Sequence, residues 1–115
     1  MSSLSDLELA RACREGVTDK KAFDPVLLDL SGLDGPATYF LICSADSDPQ
    51  IKAIANHLET TLKETHQIRP WRTSGTPASR WMIIDYGAVM VHIFHQEKRR
   101  YYRLEELWSD AQTVT

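Results

Sequence analysis

The chain has only two cysteines, Cys13 and Cys43, in 115 residues. A secreted domain held by covalent staples normally carries more, so a disulfide scaffold is excluded, and both thiols are expected as buried, small apolar side chains in a reducing compartment. Glycine and proline number five each, too few and too scattered to mark a linker between two domains, and no internal repeat or low-complexity stretch is present. Charge is weak as well. Thirteen Lys and Arg against sixteen Asp and Glu leave a formal charge of −3, without the basic footprint by which a protein holds nucleic acid through its phosphates. No apolar run is long enough to span a bilayer. The opening MSSLSDLELA puts acidic residues where a secretion signal needs basic ones, so a cytoplasmic protein with no membrane association is expected.

What is present is enough apolar material, 43% of residues, for one core, and residues 1–115 read as a single domain. Ser5 and Glu8 have the spacing of a capping box, with Leu4 and Leu9 as a hydrophobic staple, so a first helix begins at Ser5 and has Gly16 as its end signal. VLLDL after Asp24-Pro25 reads as a strand, and TYFLICS as a second, apolar on both faces and therefore covered on both. Ile51, Ile54, Ala55, Leu58 and Leu62 follow helical spacing, with either Ser47 or Asp48 as the cap. WMIIDYGAVMVHIFH reads as two antiparallel strands around a tight turn at Tyr86-Gly87. A weak strand near Pro70 to Arg72 precedes them, and Tyr101, Leu104, Leu107, Trp108 and Ala111 mark one final helix. The expected architecture is α/β (α+β), a mixed β-sheet of about five strands flanked by helices.

Three sets of residues invite chemistry. Ser44 followed by Asp46 and Asp48, with Asp85 further on, superficially matches a nucleotidyltransferase holding two magnesium ions. Pro49 instead makes Asp48 a helix-capping candidate outside the strand, so structural capping is the better reading. His92 and His95, three apart on a strand, point to opposite faces and cannot share a metal. His92, between Met90 and Phe94, is expected as a buried neutral side chain with one hydrogen bond. Lys98, Arg99, Arg100 and Arg103 form the one basic cluster, on which a general RNA-binding module would have to rest; Arg99 paired with Glu105 is the structural alternative. No metal, cofactor or catalytic residue is expected.

Three blocks carry a resemblance. They are DLSGL…TYFLICSADSDPQIKAIANHLE with Ser44, Ser47, Gln50, Ile54 and Ala55, WMIIDYGAVMVHIF with Trp81, Asp85, Gly87, Val91 and His92, and RRYYRLEELWSDA with Arg99, Tyr102, Leu104, Glu105, Leu107 and Trp108. In this order and spacing the chain resembles the RsfS/iojap family of ribosomal silencing factors, from about Val26 to Ala111. Ala88, Pro49 and Asp46 depart from the residues usual there. The resemblance implies a nucleotidyltransferase-like fold without a working active site. It also implies binding to the large ribosomal subunit through ribosomal protein L-fourteen, which blocks joining of the small subunit and represses translation. Minor contacts to ribosomal RNA and a homodimer formed at an uncovered sheet edge are further expectations.

Trp81 and Tyr86 are the expected docking residues, placed near sheet ends where burial is incomplete, with Ile84, Met82 and Gly87 beside them and Arg72 and Gly75 in the neighbouring loop. Replacing Trp81 or Tyr86 by alanine should then weaken ribosome binding and leave the fold intact. On residues alone, a core tryptophan is the better reading of Trp81, and it is the resemblance that moves it towards the interface.

Overall fold

The computed structural model describes residues 4–115. Helix α1 (Asp6–Asp19) starts as its sequence dictates: Ser5 Oγ accepts the Glu8 N–H at 3.1 Å while Glu8 Oε1 accepts the Ser5 N–H at 2.9 Å. Two otherwise unpaired donors are satisfied reciprocally. The helix runs through Gly16 instead of stopping there. A methyl group at that position would lie 2.8 Å from Leu58 Cδ1, so the missing side chain serves the close approach of a second helix, α2 (Asp48–His66). Of the two candidate caps for α2, Ser47 is the one used: its Oγ accepts the Gln50 N–H at 3.2 Å. Asp48 falls inside the first turn, where a negative charge suits the helix dipole.

The strands are β1 (Phe23–Asp29), β2 (Tyr39–Ala45), β3 (Arg72–Ser74), β4 (Trp81–Asp85), β5 (Val89–His95) and β6 (Gln112–Thr113), ordered β3-β4-β5-β2-β1-β6 in one sheet. The central pair, β2 with β5, is parallel, and every other pairing is antiparallel. A mixed sheet flanked by helices is what the sequence leads one to expect, with six strands where about five are foreseen. β1 begins three residues before the apolar run. Its register shifts between Phe23 and Val26, where Asp24 has φ +47° and Pro25 has no N–H to give the ladder.

Each face of the sheet carries its own core. Leu27, Leu41, Cys43, Ile84, Val91 and Ile93 pack against α1 and α2, and both cysteines are fully buried. Burial pushes both thiols up to about 12, so neither offers a thiolate near neutral pH. On the other face Leu28, Phe40, Ile42 and Phe94 meet Leu104 and Trp108. The segment carrying those last two is not one helix but two, α3 (Gln96–Tyr102) and α4 (Leu104–Leu107), because Arg103 takes a left-handed φ of +50°. Among the described residues no helix is long and apolar enough to cross a membrane.

Candidate functional site

β4 and β5 meet in a turn held by Asp85, whose Oδ1 accepts the Gly87 N–H at 2.8 Å, while the Tyr86 N–H donates to the Val89 carbonyl at 2.9 Å. Gly87 has φ +86°, a conformation that suits glycine. Side chains alternate across a strand, so Met82, Ile84 and Tyr86 share the face covered by α1 and α2. This corrects the expectation of an exposed hairpin end: Ile84 is fully buried and Tyr86 only 5% exposed. The ring of Tyr86 continues the strand's alternation beneath the helices, where burial pushes its phenol above the ordinary range and Cys13 and Glu59 add to the effect. Removing it would hollow the core at a cost of about 3–5 kcal/mol, so Tyr86→Ala is no fold-neutral probe of docking. Met82 is half-buried against the same core.

Trp81 lies on the other face, half-buried. Its indole stacks on Phe94 at 4.7 Å and meets Tyr102 at 4.8 Å, and its Nε1–H donates to His92 Nδ1 at 3.3 Å. That is the hydrogen bond expected of His92, which is itself 4% exposed. Burial lowers the imidazole pKa to about 4. Much of Trp81 therefore belongs to the second core, leaving only part of its surface for a partner.

The outer edge of the sheet is open. β3 pairs only with β4, and all three of its residues are exposed. Arg72 Nε lies 3.6 Å from Asp85 Oδ2 with its own side chain 76% exposed, a pair too solvated to contribute much. Gly75 is exposed at φ +79°, and a methyl group there would collide with the Trp81 carbonyl oxygen. The glycine thus lets this loop lie against the start of β4.

Trp71, absent from the sequence-derived set, is 80% exposed. Its N–H donates to the Asp85 carbonyl at 2.7 Å, and its indole lies over Gly87: a methyl there would sit 2.8 Å from Cζ2 and 3.0 Å from Cε2. Periodicity could not place an aromatic within the aperiodic stretch RPWRTSGT. Its one signal was an indole among polar and turn-forming neighbours.

The carboxylates do not converge. Asp85 pairs with Met90, which pairs with Phe40 near the start of β2, whereas Asp46 follows the end of β2. Five strand residues, roughly 17 Å, lie between those levels, far more than the roughly 4 Å between paired catalytic metals. Asp48 faces Arg80 at 3.9 Å. Among the described residues no group of three or more His, Cys, Asp or Glu is placed to hold a metal. Ser44 Oγ accepts from Arg99 Nη1 at 3.2 Å, and Arg99 Nε faces Glu105 at 3.5 Å. In the cleft of about 620 Å³ beside them, Arg99, Arg100 and Arg103 are offset by Asp24, Glu105 and Glu106.

The family model described as "Ribosomal silencing factor during starvation" matches residues 3–115. A Halalkalibacterium halodurans protein named ribosomal silencing factor RsfS is 42% identical over 111 residues, 96% of this chain and 94% of that one. The chloroplastic protein Iojap of Zea mays is 29% identical over 108 residues, 94% of this chain and 46% of that one. A crystal structure from Chromobacterium violaceum superposes with a TM-score of 0.86 at 29% identity, covering 97% of this chain and 92% of its own. One from Bacillus halodurans gives 0.81 at 39%, covering 95% and 98%.

Proposed function

Since the chain belongs to the RsfS family of ribosomal silencing factors, we propose that it docks on the large ribosomal subunit through ribosomal protein L-fourteen and keeps the small subunit from joining. The observation that carries this reading is the match over residues 3–115, with a named silencing factor aligned over nearly the full length of both chains. Steric exclusion asks for a rigid body with one open face and for no bond-making, so the protein acts in the cytoplasm as a binder and not as an enzyme. An interface of ordinary size takes about 800 Å² from each partner, roughly an eighth of the 6567 Å² surface here. The open edge at β3 supplies part of such a face.

In this reading Arg72, Gly75 and Gly87 touch the partner, with the uncovered parts of Trp81 and Met82 beside them. Ile84 and Tyr86 act from beneath, holding β4 and the turn on the helices. Purified large subunits should retain the protein on co-sedimentation while assembled ribosomes do not. Arg72→Glu should weaken retention about tenfold, or ~1.4 kcal/mol, with an unchanged thermal midpoint. Equal retention by large subunits and assembled ribosomes would defeat the exclusion mechanism.

A further inference from the structure

Between Glu64 and Asp85 the chain carries Arg69, Arg72 and Arg80 and not one carboxylate, although the protein as a whole is acidic. Within the same stretch Trp71 is the one large apolar side chain that is strongly exposed. Its ring is laid over the bare Cα of Gly87 and its backbone is tied to Asp85. Part of the indole's six-membered ring is therefore backed by main chain, while the residue is 80% exposed. Neighbours determine what such a ring can hold. A protein-docking anchor is normally ringed by further apolar contacts that exclude water, whereas Trp71 has exposed Arg69, Arg72 and Thr73 around it in the chain, with half-buried Pro70 as its one apolar neighbour there. A flat, pre-positioned aromatic flanked by guanidinium groups is what an unpaired nucleotide needs: a platform for the base and cations for the phosphates on either side.

We propose that Trp71, with Arg69 and Arg72, stacks an unpaired nucleotide of single-stranded RNA. On the ribosome this becomes one RNA contact beside the protein interface, and to that extent it deepens the docking reading. The charges facing the platform permit it. Arg80 is engaged by Asp48 at 3.9 Å and Glu97 at 3.6 Å, and Asp85, itself largely buried, reaches only the strongly exposed side chain of Arg72, at 3.6 Å. Arg69 is in no ion pair among the described residues, although Glu59 lines the same shallow pocket together with Lys63, and Arg72 can exchange a weak partner for a phosphate. One stacked base and about two phosphates make a weak site, steeply dependent on salt, and not a general RNA-binding surface.

The test uses the full chain and a fluorescently labelled ten-residue oligoadenylate, read by anisotropy in low salt. Binding should saturate, with a log–log salt slope near −1.4 for about two phosphates. Trp71→Ala should weaken it about tenfold, Trp71→Phe should keep most of it, and Arg69→Gln should flatten the salt slope. Absence of binding by the unaltered chain, or equal binding by Trp71→Ala, overturns the proposal. So does a Trp71→Ala effect seen on isolated ribosomal protein L-fourteen but not on the oligonucleotide, since the platform would then be a protein anchor. Co-sedimentation with large subunits, run in parallel, separates the two readings: its loss with intact oligonucleotide binding sinks ribosome docking alone.

Discussion

His92 sits with its ring 4.5 Å from Phe40 and accepts a hydrogen bond from the Trp81 indole N–H on Nδ1, while its Nε2 has no hydrogen-bond partner among the described residues. Both facts favour the neutral form, and burial lowers the folded-state pKa from 6.5 to about 4. A histidine lowered in this way binds its proton more readily in the unfolded chain. Its contribution is thus complete above about pH 6.5 and is lost as pH falls towards 4, amounting to roughly 3 kcal/mol over that window. His92→Gln, which keeps an acceptor for the indole, should lose most of this dependence. Urea unfolding of both proteins at pH 7 and pH 4.5 checks it, and parallel pH profiles would show that the imidazole is not responsible. The neutral state of His92 was legible because Met90, His92 and Phe94 alternate onto one apolar face. The burial of Tyr86 is not legible in the same way, because incomplete burial is expected at a sheet end and only the helices above show that its ring continues the strand's alternation into the core.

Ser47 and Asp48 competed in the sequence for the start of α2, and their roles differ in size. Losing a side-chain cap costs about 1 kcal/mol, whereas losing a first-turn charge costs a few tenths. Ser47→Ala should therefore lower the free energy of unfolding by about 1 kcal/mol, and Asp48→Ala by clearly less, in denaturant titrations at neutral pH. The reverse order would assign the cap to Asp48. Elements with their own periodicity, such as the stripe of α2 or the β4–β5 pair, could be read from residues alone. β6 could not. Its two residues are a strand only because β1 offers an edge and Arg14 donates to the Val114 and Thr115 carbonyls, each at 3.0 Å. Nor could the break at Arg103, since Tyr101, Leu104 and Trp108 fit one helical period on either side of it. The candidate site was legible as a place, the hairpin and the loop before it, but which side chains faced outward depended on helices that cover one face and not the other.

Across the whole molecule, the parallel pairing of β2 with β5 joins Tyr39 to Val89, 89 − 39 = 50 positions along the chain. No local hairpin can complete the centre of the sheet. Until the second partner arrives, β2 has an unpaired side, and the entropy of closing that long loop is spent before any buried contact repays it. Refolding should accordingly take milliseconds to seconds, not microseconds. Val91→Ala, at the middle of the central pair, should slow the folding limb in stopped-flow measurements, where Ser47→Ala should mainly alter unfolding. Time, then, is governed by the middle of the sheet: β4 and β5 can zip together early, yet the domain has no finished interior until two distant stretches of chain have found each other.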